Sequence, residues 1–330
     1  MTEQEFGFSE FPGRWAPSIG AIAIALLAFA AGRIAVHYSM PLAGLVVLLV
    51  GIASLSAAGA WMAKRGTAAT PWMRSRSVNL VATRGSAEGD RPVHWLVAHI
   101  DSKSQTVPML ARIASVFLSA VMLAVLIGAL ADSALRGSSA PLFPLIPALG
   151  WVATACLAPL MLCLVGNKSC GSLDNGSGVA AVLMAARKIA SYRPIGVIIT
   201  SAEELGLAGA RAYVRTNPAG GIALNCDTVD DGGRFICMMH GSPSKSRLAQ
   251  AVTRASARLG TPVRVGGMLP GVLADNIAFS DAGWDSLTLS RVNLGTLSRV
   301  HTAGDRPDKL DGSGIAEAAR LIAATIEELT

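Results

Sequence analysis

Five short segments of this chain bring together the residue types that bind divalent metals or move protons. They are "AHID" (His99, Asp101), "LDNGSG" (Asp174), "TSAEELGLAG" (Glu203, Glu204), "LNCD" (Asp227) and "SRVHTAGD" (His301). Taken singly each is commonplace. Asp174 would cap a following helix, Glu203 and Glu204 would sit solvated in a helix's first turn, and a histidine or aspartate often ends a strand. Taken together they describe a chemistry. Imidazole nitrogen and carboxylate oxygen are ordinary zinc ligands. A carboxylate bridging two ions roughly 3.5–4 Å apart makes a hydrolytic two-metal site. A carboxylate next to a ligand, but not itself bound, can act as general base on an attacking water. The adjacent Glu203 and Glu204 suit that division of labour, because neighbours on an extended segment point in different directions.

Such residues need a scaffold that gathers them. "SVNLVATRG" and "HWLVAHID" read as strands separated by a polar turn. A helix over residues 175–191, the strand "IGVIITS", a helix near 205–216 and the strands "GIALNCD" and "RFICMMH" follow. A helix near 243–259, the strand "DSLTLS" and a last helix over 313–329 complete the pattern. Strands alternating with helices predict an α/β domain with a mixed, largely parallel sheet flanked by helices. In such sheets, sites form beyond the carboxyl ends of the strands, and the five segments fall at those ends.

The ordered set resembles the zinc aminopeptidase family that also contains glutamate carboxypeptidase II, transferrin-receptor-like proteins and glutaminyl cyclases. The resemblance covers residues 75–103 and 167–330. It implies that His99 binds one zinc and that Asp101 accepts the other imidazole N–H, fixing the tautomer. It implies that Asp174 bridges two zinc ions, with a cis bond to Asn175. It makes Glu203 the general base, Glu204 a ligand of one zinc, Asp227 a ligand of the other, and His301 the last ligand, in a closing "HT…D" segment. Asp275 and Asn276 in "LADNIAF" resemble the segment lining the family's substrate pocket. Cys170 reads as a structural thiol, and Asp305 and Asp308 as turn residues. Gly176 and Gly178 leave room for backbone close to the metals. The implied activity is exopeptidase, foremost aminopeptidase, on a two-zinc centre. A carboxypeptidase or amide hydrolase on the same centre, a glutaminyl-cyclase-like enzyme, and a non-catalytic membrane scaffold are the alternatives.

The rest of the chain is of another kind. Of its 330 residues, 52% are hydrophobic and only 15% charged, against roughly 25% charged in an ordinary soluble domain. Apolar runs occupy residues 19–40, 40–62, 113–131 and 140–166, each near the roughly 20 residues that cross a bilayer as a helix. They predict four transmembrane helices in two hairpins, with Arg33 snorkelling to an interface. The expected organisation is an N-terminal tail and first hairpin (1–66), a first part of the peptidase domain (75–104), a second hairpin inserted within it (105–166), and the remainder (167–330). The net charge of +6 is scattered, with no aromatic–basic interleaving, which argues against nucleic acid as a partner. The expected partners are the bilayer and a peptide substrate that is hydrophobic or membrane-derived.

The N-terminal residues are acidic and lack the basic stretch that opens a cleaved signal peptide. Five cysteines without a CxxC pair point to a reducing compartment. Cations flanking the spans, Arg14, Lys64, Arg65, Arg74, Arg76, Lys103, Arg112 and Lys168, outnumber Arg33 and Arg136 on the opposite side. The positive-inside rule then makes the chain a multi-pass membrane protein with a cytoplasmic peptidase domain. Oligomeric state is not legible.

Overall fold

The computed structural model describes residues 1–85, 93–218, 220–268 and 271–329. The polar turn expected between the first two predicted strands, residues 86–92, lies outside them. The chain divides into two compact units.

One unit, residues 11–70 and 105–166, is helical. Its main helices are α1 (Ala16–His37), α2 (Pro41–Trp61, prolonged by a π-helical turn and a short helix to Ala69), α3 (Met109–Arg136) and α4 (Ile146–Met161). Prolines open α1, α2 and α4 in the first turn, where a missing N–H costs nothing. Four helical stretches among the described residues are long and apolar enough to cross a membrane. The 22-residue α1 rises about 33 Å at 1.5 Å per residue. The unit is apolar on its surface as well as inside, unlike a water-soluble bundle. Ala28, Ala31, Ala35, Leu48, Leu126, Ala129, Leu130 and Ile146 fill the interior, whereas Leu26, Leu42, Phe117 and Trp151 are more than 60% exposed. Small residues at the crossings let the backbones approach: a Cβ on Gly44 would lie 2.5 Å from the Ala31 carbonyl oxygen.

The other unit, residues 1–10, 71–104 and 167–330, is an α/β domain. Its strands are β1 (Thr2–Ser9), β2 (Arg74–Arg84), β3 (His94–His99), β4 (Ile195–Thr200), β5 (Ile222–Val229), β6 (Arg234–Met239), β7 (Val263–Gly267) and β8 (Asp285–Val292). Among the described residues they form one sheet in the order β1-β2-β4-β3-β5-β8-β6-β7. The central strands β4, β3, β5 and β8 are parallel, and antiparallel pairs flank them. Helices α5 (Ser177–Lys188), α6 (Ala208–Thr216), α7 (Arg247–Leu259), α8 (Asn276–Asp281), α9 (Leu294–Arg299) and α10 (Ser313–Glu327) complete the unit.

Strand β3 shows why both faces are covered. Leu96 and Ala98 point to one side, where α5, α7 and α10 contribute Val182, Leu248 and Ile322. Trp95 and Val97 point to the other, against Tyr213 of α6 and Phe279 of α8. A strand buried on both faces reads as a continuous apolar run, as the parallel interior of a sheet requires.

Two strands of this sheet lie beyond the sequence reading. The N-terminal residues, expected as a tail grouped with the first hairpin, form edge strand β1, paired antiparallel with β2 from Thr2↔Val81 to Ser9↔Arg74. Phe6 and Phe8 pack with Ala202, Leu205 and Ala208. At the far edge, β7 pairs with β6.

Candidate metal centre

The parallel strands deliver the chemical groups at their carboxyl ends. His99 is the last residue of β3, and its register partner on β4 is Thr200, so Glu203 and Glu204 follow beside it. Asp227 lies near the end of β5. The turn before α5 supplies Asp174, and the loop after α9 supplies His301.

These residues converge. His99 Nε2 is 3.2 Å from Asp174 Oδ1, 3.5 Å from Asp227 Oδ1 and 4.0 Å from Glu203 Oε2. His301 Nε2 is 3.0 Å from Asp174 Oδ2 and 3.0 Å from Glu204 Oε1. The two carboxylate oxygens of Asp174 therefore face different histidines. Two groups result, His99–Glu203–Asp227 and Asp174–Glu204–His301, each with its ligand atoms within 4.8 Å of one another. His99, Asp174, Glu203, Glu204 and His301 are buried, and Asp227 is half-buried.

The electrostatics match a site made for cations. Burial opposes a charge on His99, yet Glu203, Asp174 and Asp227 raise its pKa well above the ordinary value. Burial likewise opposes charge on His301, and Glu204 and Asp174 raise it. Burial would raise Asp174, but His301 and His99 outweigh it and hold the carboxyl well below the usual range. Glu203 is pushed well up, first by burial and then by Glu204, Asp227 and Asp275, with His99 opposing. Burial also takes Asp275 to about 7. The pattern is an excess of buried negative charge seeking compensation. His99 Nε2 and Glu204 Oε1 are moreover buried with no hydrogen-bond partner, although other ligating atoms crowd them. A divalent cation in each group would satisfy both atoms, so the donor set fits the metal that the sequence implies.

Surrounding groups hold this geometry, and one differs from expectation. The Asp101 carboxylate does not take the His99 imidazole N–H. It lies 3.7 Å from Nδ1, whereas the Asp101 backbone oxygen lies at 3.0 Å. The carboxylate is turned away because it accepts the backbone N–H groups of Glu203 (3.0 Å) and Glu204 (3.2 Å). Asp101 thus orients the histidine with its main chain and clamps the two glutamates with its side chain.

The glycines also differ in detail. A Cβ on Gly178 would lie 2.1 Å from Asn175 Oδ1 and 2.4 Å from the Cys226 carbonyl oxygen. The room it leaves is filled by the Asn175 side chain, which donates to Cys226 O at 2.9 Å and accepts from Gly178 N and Thr228 N at 3.0 and 3.1 Å. The Asp174–Asn175 bond is cis.

Two residues have roles that sequence reasoning missed. Asp305, read as a turn residue, is buried and accepts the backbone N–H of Leu173 (2.6 Å) and of Asp174 (3.2 Å). Lys103, counted with the cations flanking the spans, places Nζ 2.8 Å from Glu204 Oε2. Cys170 is exposed and stands in neither metal group, and Asp308 is exposed and pairs with Arg306. Asp275 and Asn276 are fully buried at the start of α8, where Asp275 accepts from Thr200 Oγ1 and Asn276 donates to Met238 O. Six described non-glycine residues have positive φ; three of them, Ala202, Thr228 and His301 (55°, 58° and 62°), are metal-centre residues or adjoin one, and the others are Ser39, Met73 and Leu207.

A family model described as "Peptidase family M28" matches residues 79–326. The chain belongs to peptidase family M28. The M28 fold is also seen in solved structures: an aminopeptidase from Aneurinibacillus sp. strain AM-1 (TM-score 0.50, 16% identity, covering 77% of this chain and 48% of that one), and BSAP, a zinc aminopeptidase from Bacillus subtilis (TM-score 0.50, 18% identity, covering 78% and 52%). The chain thus spans about half the length of these relatives. No curated protein matches it. Within the M28 region of this chain stand the two groups of His, Asp and Glu side chains that could hold a metal ion, and four helices among the described residues are long and apolar enough to cross a membrane.

Proposed function

We propose that this M28 chain is a membrane-anchored aminopeptidase with two zinc ions, removing N-terminal residues from peptides. The placement of Asp174 carries the reading: one carboxylate offers Oδ1 toward His99 and Oδ2 toward His301, at 3.2 and 3.0 Å. In this assignment His99 and Asp227 would hold one ion, Glu204 and His301 the other, and Asp174 would contribute to both. When bound, zinc supplies Lewis acidity, lowering the pKa of water and polarising a carbonyl.

The protein's own groups do the rest. Glu203 stands further from His99 than Asp174 and Asp227 do, which leaves its carboxylate to serve as the general base. It takes the proton of the attacking water and returns it to the departing amine nitrogen. Asp101 fixes Glu203 and Glu204 through their backbone N–H groups, so both glutamates keep their separate directions. The four apolar helices anchor the enzyme in the bilayer, and hydrophobic or membrane-derived peptides are the substrates that such an anchor favours.

A panel of chromogenic aminoacyl amides, with N-blocked peptides as controls, tests the assignment in detergent. Free-amine substrates are expected to turn over, N-blocked ones not, and a chelator to abolish the reaction. Turnover confined to N-blocked peptides carrying a free carboxylate would make the enzyme a carboxypeptidase instead.

A further inference from the structure

Lys103 is a cation inside a cation site. Its side chain is 16% exposed, and Nζ contacts Glu204 twice, at 2.8 Å to Oε2 and 3.1 Å to the backbone oxygen. Glu204 is the residue whose other oxygen, Oε1, lies 3.0 Å from His301 Nε2. A carboxylate can rotate, and with both oxygens free either could face the histidine. The ammonium removes that freedom by holding one oxygen and the main chain of the same residue. The lysine is itself held: the next residue, Ser104, accepts the backbone N–H of Lys168 through Oγ at 2.8 Å.

Coulombic repulsion argues the other way, since a lysine beside a metal site weakens the pull on a divalent ion. The geometry weighs against that as the main effect. Nζ is on Oε2 of Glu204, whereas His301 faces Oε1. We infer that Lys103 is a positioning residue for Glu204, presenting a single oxygen of that carboxylate to the metal shared with His301. Removing a group that orients a ligand commonly costs about 10- to 100-fold in metal affinity.

The inference rests on the two-metal reading, and one experiment separates them. Full-length protein in detergent, stripped of metal, is titrated with zinc against a chromophoric chelator. Wild type is expected to bind two equivalents. In Lys103→Met one equivalent should weaken by about 10- to 100-fold while the other is unchanged, and Lys103→Arg should restore most of the loss. Lys103→Gln, a milder change with the same loss of charge, is run in parallel so that a folding failure of the Met variant leaves the comparison intact. Two equivalents bound equally well or more tightly by the Met and Gln variants overturn the positioning role and leave the two-metal reading standing. Wild type that binds no zinc overturns both.

Discussion

A carboxylate set between two imidazoles has to be held from behind, and Asp174 is. Asp305 accepts its backbone N–H and that of Leu173, and Asn175 ties the same turn to the end of β5. Glu203 has no such link to a histidine at hydrogen-bonding distance, and this freedom suits a proton carrier. Glu203→Gln should therefore keep bound zinc while lowering turnover by about 10²–10⁴-fold, because an amide cannot accept the proton. Steady-state rates and zinc content, measured on the same preparation, check it; near-normal rates would remove Glu203 from the reaction. The candidate ligands stand out in the sequence because their types are rare in combination, and His99, Glu203, Glu204 and Asp227 lie at or just past strand ends, whereas Asp174 and His301 come from a turn and a loop. The supports of these ligands do not stand out. Nothing in "HIDSK" says that the aspartate side chain turns to the glutamates or that the lysine reaches Glu204, because those contacts join segments about a hundred residues apart.

Among the elements, the central strands announce themselves as apolar runs, since a strand buried on both faces has no polar alternation to disguise it. The edges did not. β1 alternates phenylalanine with acidic and polar residues and gains its identity by pairing with β2, while β7 is short and ends in two glycines. Edge strands draw their order from a neighbour more than from their own composition. The tightest element is the turn entering α5. Gly178→Ala would drive a methyl group into Asn175 and the Cys226 carbonyl, and no flexible side-chain end is there to yield on the backbone side. Overpacking of this kind costs about 1–3 kcal/mol. A lowered thermal midpoint together with loss of zinc is expected, whereas Gly241→Ala, open on all sides but at φ +92°, should lose stability without losing zinc. Equal zinc loss in both variants would show that the turn has no special hold on Asp174.

At the scale of the whole molecule, the sequence of the M28 domain is interrupted by an apolar helical unit, whose second part occupies residues 105–166. In sequence, Arg14, Lys64, Arg65, Arg74, Arg76, Arg112 and Lys168 flank the apolar runs where these adjoin the α/β domain, against Arg33 and Arg136 in the two hairpin turns. From that imbalance and the positive-inside rule we propose that the peptidase domain lies in the cytoplasm. A C-terminal reporter should be active only there, and activity restricted to the opposite side would reverse the orientation. The central claim, two zinc ions joined by one carboxylate, is tested most directly by counting metal in purified full-length protein. Wild type should hold two zinc ions per chain, and Asp174→Ala should disturb both, since its oxygens face both histidines. A single tightly bound zinc that survives Asp174→Ala unchanged would contradict the account.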